Sequence, residues 1–329
     1  MSSPVSRAAG GRPPLTHVPL SRRSLPSLEP APPPWPGETI GVAGVKLHIR
    51  RTPGGPETAV YVHGLGGSST NWTDLAALLA PQAGGTAVDL PGFGYSEPAA
   101  GFDFSLDSHA EIVASHIESL DAGPVHLFGN SMGGAVVLLV AARRPELVKT
   151  LTLISPAMPD LRPSMRRLSD PRMAFAYLPL IGPRVRRQLA ALGPRERAMQ
   201  VIKLCFADPS RFAESRLNEL EEEHSARAAF EWAAPALARS TFGIFRTWSA
   251  RGPASLWAVA PTVDAPTLVV WGQHDRVISV RRAERTARLL PHARLLVLPR
   301  TGHVAQMERP NVVAKAVLGM WESVESGTW

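Results

Sequence analysis

The chain has one cysteine, Cys205, in 329 residues. That excludes an internal disulfide and makes a reducing, cytoplasmic setting the expectation. With no His/Cys cluster at ligand spacing, neither a structural metal site nor a bound cofactor is expected. Long apolar runs are also missing. The longest, GGAVVLLVAA at 133–142, stops at Arg143 and Arg144, well short of the ~20 residues a membrane-spanning helix needs. Residues 1–36 contain no apolar stretch of the ~7–15 residues found in a secretory leader, so none is expected. Aromatic residues are few, at 6%, and are not interleaved with the basic ones, which argues against nucleic-acid binding.

What the chain does have is a hydrophobic fraction of 44%, enough for a large buried core, and a net charge of +7. An arginine-, alanine- and proline-rich composition accounts for part of that excess. The rest is clustered. Arg7, Arg12, Arg22 and Arg23 face only Glu29 in the first 36 residues, and a second basic group runs through Arg162, Arg166, Arg167, Arg172, Arg184, Arg186, Arg187, Arg195 and Arg197. Either group could steer an anionic substrate or meet an anionic membrane surface. Residues 1–36, with GGRPP, PLSRRSLPSLEP and APPPWPG, lack any sustained period and read as a disordered arm that contributes little packing. No internal repeat and no signal for an oligomeric state is present.

From Gly37 onward, short apolar strands alternate with helical stretches, the pattern of a mostly parallel sheet covered on both faces. Strands are expected at ETIGVA, GVKLHIRR, TAVYVHG, GGTAVDL, PVHLFGN, VKTLTLISP, APTLVVWG and ARLLVLP, with helices near 71–80, 105–121, 132–143, 281–290 and 309–323. In GNSMGG, Gly129 and Gly133 stand two positions either side of Ser131, between a strand and a helix. A serine on so tight a turn has a strained backbone, and a Cβ at either glycine would collide with the crossing strand and helix. Asp275 then follows one later strand and His303 the last, in the order Ser, acid, His. A hydroxyl is a poor nucleophile at neutral pH, so an imidazole must take its proton and a carboxylate must orient that imidazole.

The stretches HGLGGSSTNW, DLPGFGYSE, GNSMGG, WGQHDRVIS and GHVAQMERP together resemble the α/β-hydrolase superfamily over residues 37–325. The resemblance implies an eight-stranded, mostly parallel sheet formed by 37–156 and 263–329, with a helical cap inserted at 157–262. It implies Ser131 as nucleophile, His303 as base and Asp275 as acid, with backbone N–H groups of Met132 and Leu65 as oxyanion donors. Asp160 is the alternative acid, because some members carry the carboxylate after that earlier strand. His63 fits a turn-shaping role, His126 a core position, and His274 no catalytic one.

About a hundred residues separate LTLISP from APTLVVWG, too many for an ordinary connection. DPSRFAESRLNELEEE opens like a helix, and Phe242, Ile244, Phe245 and Trp248 fall at helical spacing. This stripe either packs cap on core or, through Phe242, Phe245 and Trp248, lines a pocket for an apolar substrate group. A serine at the elbow disfavours the dehalogenase and epoxide-hydrolase chemistries, which use aspartate there. The expected substrate is a small-molecule carboxylic ester, cleaved through an acyl-enzyme. GNSMGG is also similar to the elbow of meta-cleavage product hydrolases, which cut carbon–carbon bonds, although those carry an aromatic residue where Val304 stands and a Gly-Pro-rich oxyanion loop. A non-catalytic ligand-binding role is the remaining alternative.

Overall fold

The computed structural model describes residues 15–162 and 191–329, with Arg184, Arg187 and Gln188 between them. The sheet is built from β1 (Gly37–Val42), β2 (Val45–Val62), β3 (Ala83–Val88), β4 (Val125–Asn130), β5 (Val148–Ile154), β6 (Thr267–Gly272) and β7 (Ala293–Leu298). Its order is β1-β2-β4-β5-β6-β7 with β3 also on β2, and only β1 runs antiparallel. The sheet thus has seven strands where eight were expected. The stretches GVKLHIRR and TAVYVHG continue through TPGGPE as the single 18-residue strand β2. Its irregular register against β3 around Thr52–Glu57 absorbs the glycines and prolines that read as a break.

The central strands β4 and β6 are buried at every residue, which is why they read as unbroken apolar runs and not as alternating ones. Helices α2 (Leu106–Ser119), α3 (Met132–Arg143) and α8 (Ala283–Leu289) contribute to one apolar cluster. Helices α1 (Thr73–Leu79) and α9 (Pro310–Glu325) contribute to another. Between β5 and β6 the described chain forms α4 (Pro194–Cys205), α5 (Glu214–Arg227), α6 (Ala233–Ser249) and the single turn α7 (Leu256–Val259). Ala198, Ile202, Phe206 and Leu217 of this insertion share a small core with Val304. Among the described residues no helix is long and apolar enough to cross a membrane.

Residues 15–36 correct the expectation of a disordered arm. The segment lies along the core: Ser21 N–H donates to the Lys315 carbonyl at 2.9 Å, and Leu295 N–H donates to the Leu15 carbonyl at 2.8 Å. Arg294 holds the His17 carbonyl, Arg216 the Pro32 carbonyl and Arg50 the Trp35 carbonyl. Val18, Leu25, Leu28 and Trp35 pack on the α1/α9 cluster. Gly319 makes room for the crossing, since a Cβ there would stand 2.1 Å from the Pro19 carbonyl oxygen. An extended segment laid on a finished surface needs no period of its own, which is why none is visible in its sequence. Arg23 is paired with Glu322, while Arg7 and Arg12 lie outside the described residues. Of the second basic group, Arg166, Arg167, Arg172 and Arg186 also lie outside them, and Arg195 is paired with Glu214 and Glu221.

Candidate active site

The carboxyl ends of β4, β6 and β7 deliver the site. Ser131 follows β4 at φ +54°, a left-handed conformation that costs an L residue on the order of 1–3 kcal/mol. The glycines around it permit that turn by steric necessity. A Cβ at Gly129 would lie 2.5 Å from the Gly133 carbonyl oxygen, and one at Gly133 would lie 2.3 Å from those of Val62 and His63. Ser131 N–H is held by the Ile154 carbonyl at 3.0 Å, and Asn130 bridges the Ile154 and His303 carbonyls, tying the turn to β5 and to the histidine loop.

His303 follows β7, its N–H donating to the Cys205 carbonyl at 2.6 Å. Its Nδ1 is 2.9 Å from Asp275 Oδ2. A carboxylate only accepts, so Nδ1 carries the proton and Nε2 is left as a base. The other Asp275 oxygen accepts Val277 and Ile278 N–H at 2.8 and 2.9 Å, so the carboxylate cannot rotate freely. Asp160, the alternative acid, is turned elsewhere. It is fully buried, holds Arg282 through Nε and Nη2 at 3.1 and 2.9 Å, and accepts Ser279 N–H.

Ser131 and His303 line one cavity of about 90 Å³ together with Gly64, Leu65, Gly66, Gly67, Asn71 and Asn130 from the core. Its remaining walls are Val201, Ile202, Cys205, Phe206, Phe212, Leu220 and His224 of the insertion, and Val304 and Met307. Met132 is the first residue of α3, so its N–H has no partner inside the helix. Among the described residues the Leu65 N–H has none either. Its direction follows from the adjoining carbonyl. Gly64 C=O accepts from His63 Nδ1 at 2.7 Å and from Gly67 N–H at 3.0 Å, and in a trans peptide the Leu65 N–H must point the opposite way. His63 Nε2 accepts Leu90 N–H at 2.9 Å, and burial lowers its pKa to about 4. The ring is a neutral brace, in keeping with a turn-shaping role. His126 is stacked on Trp321 with its pKa lowered to about 4 by burial, and His274 is exposed.

The aromatic stripe does not enter this cavity. Phe242 is 71% and Phe245 51% exposed, with Phe242 on a separate cleft beside Asp103 and Arg246, while Trp248 is buried and donates to the Ala157 carbonyl at 2.8 Å. The expected substrate contacts of Phe242, Phe245 and Trp248 are therefore corrected: Ile244 and Trp248 pack α6 onto the core. The wall is supplied by α4 and α5 instead. The signal was the apolar spacing of Ala198, Val201, Ile202 and Cys205, outside the stretches read as helical. Burial and then the charge of Asp275 push the Cys205 thiol up to about 12, so it is protonated at neutral pH. Burial and then Arg227 lower His224 to about 4, so it presents a neutral ring to the cavity.

A family model described as the alpha/beta hydrolase fold matches residues 60–310. The dihydrolipoyllysine-residue acetyltransferase component of the acetoin cleaving system of Cupriavidus necator is 29% identical over 82% of this chain, which spans only 65% of that relative's length. A 2-hydroxy-6-oxononadienedioate/2-hydroxy-6-oxononatrienedioate hydrolase of Cupriavidus pinatubonensis is 25% identical over 83% of this chain and 89% of its own. Among solved structures, a bacterial membrane phospholipase A superposes with a TM-score of 0.70 at 25% identity, covering 88% of this chain and 86% of the other.

Proposed function

The chain belongs to the α/β-hydrolase fold family, and on that premise we propose that it is a hydrolase that cleaves a small carboxylic ester through an acyl-enzyme on Ser131. One observation carries the reading: Ser131 and His303, the latter oriented by Asp275, open on the same cavity, near the Leu65 and Met132 N–H groups, which have no partner among the described residues. The Ser131 hydroxyl attacks the ester carbonyl while His303 Nε2 takes its proton. The developing oxyanion is received by Leu65 and Met132 N–H. The alkoxide leaves with the proton from His303, and a water activated by the same imidazole releases the acid. Asp275 holds the tautomer throughout.

Carbon–carbon cleavage of a meta-cleavage product is the second reading; the Cupriavidus pinatubonensis relative is named a hydrolase of 2-hydroxy-6-oxononadienedioate and 2-hydroxy-6-oxononatrienedioate. Its dienol-carboxylate substrate asks for a cationic or polar clamp in the pocket. The described lining residues include no lysine or arginine, and their apolar character suits a short acyl group. The test is a series of p-nitrophenyl esters run beside a meta-cleavage dienone. Short-chain esters turn over with the higher kcat/KM. A dienone exceeding the best ester a hundredfold, about 2.7 kcal/mol of transition-state preference, would overturn the ester assignment.

A further inference from the structure

Helix α5 carries three successive glutamates, and the third is turned inward. Glu223 is 4% exposed, and its Oε2 accepts from Ser68 Oγ at 2.6 Å and Thr70 Oγ1 at 3.3 Å, both on the loop that follows β2. One helical turn later, Arg227 Nη1 donates to the Gly66 carbonyl at 2.9 Å and stands 3.8 Å from the Glu223 carboxylate. Two charged side chains of the insertion therefore hold the same short glycine loop at three points. Desolvating such a pair is costly, and its yield in stability alone is commonly small. What it supplies here is direction.

That direction is transmitted through two amides in series. Gly66 C=O and Gly67 N–H belong to one trans peptide and point opposite ways. The carbonyl is fixed by Arg227, and the N–H donates to Gly64 C=O at 3.0 Å. Gly64 C=O and Leu65 N–H form the next trans peptide, so the Leu65 N–H is aimed by the same chain of bonds. Each donation also polarises the next amide in the same sense. We infer that Glu223 and Arg227 are positioning residues that aim the Leu65 N–H oxyanion donor through the Gly66–Gly67 and Gly64–Leu65 amides, so that α5 must be seated for the oxyanion site to be complete. This rests on the ester reading given above. The second tie of α5 lies at its other end, where Arg216 holds Asp74 at 2.5 Å and the Pro32 carbonyl at 2.6 Å.

The test compares the full-length wild type with Arg227→Met and Arg227→Lys, using a p-nitrophenyl ester, a trifluoromethyl ketone that forms a hemiketal oxyanion on Ser131, and the matching non-fluorinated ketone. Removing one oxyanion donor outright costs about 10²–10³ in kcat. A donor that is misaimed but present places Arg227→Met at roughly 10–100-fold lower kcat, with KM within about threefold. Affinity for the trifluoromethyl ketone falls by the same factor as kcat, affinity for the plain ketone stays, and Arg227→Lys restores most of the loss. Ser68→Ala, which frees one anchor of Glu223, shows the same split at smaller size and serves if Arg227→Met does not fold. Unchanged kcat and trifluoromethyl ketone affinity in a folded Arg227→Met, or equal losses for both ketones, overturn the inference alone. A wild-type enzyme without ester turnover overturns the ester reading and this inference with it.

Discussion

Replacing Asp275 by asparagine changes one atom in the site, and the structure dictates which way the new amide must face. Oδ1 accepts two backbone N–H groups, Val277 and Ile278, at 2.8 and 2.9 Å. An amide NH2 placed there would leave both donors unpaired, at about 1–3 kcal/mol for each buried group. The asparagine oxygen therefore keeps that position, and the NH2 group faces His303 Nδ1. A donor opposite Nδ1 drives the imidazole proton to Nε2, where it can no longer accept from Ser131. The expected loss is about 10⁴ in kcat, close to 5.5 kcal/mol, with KM and the fold little altered. Turnover of a p-nitrophenyl ester by Asp275→Asn, with circular dichroism to verify the fold, measures it directly. Activity within tenfold of wild type would refute the assignment. The matched variant Asp160→Asn, which weakens a bond to Arg282 and not to the histidine, should keep kcat within a few-fold.

Deleting residues 1–36 should destabilise the protein. The net loss of several arm-to-core hydrogen bonds, at about 1 kcal/mol each, and of the apolar contacts is about 2–4 kcal/mol after the ordering entropy is regained, which lowers Tm by roughly 3–6 °C in a chain of this length. A truncated chain melting within 1 °C of the full one, by calorimetry, would contradict the docking described. Acid should also destabilise the fold. His63 and His126 are held neutral by burial, with pKa values lowered to about 4 from 6.5. Between those values the unfolded chain binds protons that the folded chain does not, so stability is full above pH 6.5 and falls as pH drops towards 4. Denaturant midpoints measured from pH 7 to 4 should decline over that window, and a flat profile would show that these rings are not buried in neutral form.

The juxtaposition of Ser131, Asp275 and His303 was legible because local motif and chain order combine there. Ser131 needs glycines at 129 and 133 for steric reasons that leave a visible pattern, and the positions of Asp275 and His303 follow from which strands precede them. The cavity wall was not legible in the same way. Phe242 and Phe245 share a helical period with Ile244 and Trp248, yet period alone does not say which face meets the core, and the two phenylalanines lie on the outer face. Glu223 and Arg227 sit in LEEEHSAR, a charge run that reads as a solvated helix surface; only the tertiary placement of α5 turns two of those charges onto the glycine loop. The arm at 15–36 fails for a related reason, since an extended segment takes its pattern from the surface it lies on.

The proposed mechanism requires Ser131 to be an activated nucleophile. Incubating the full-length protein with a fluorophosphonate and measuring intact mass tests it without any choice of substrate. One adduct per chain is expected, mapped to Ser131, absent in Ser131→Ala and slowed by orders of magnitude in His303→Ala, whose loss matches the serine's because the two act as a unit. A wild-type protein that remains unlabelled, or one labelled equally in Ser131→Ala, would contradict it.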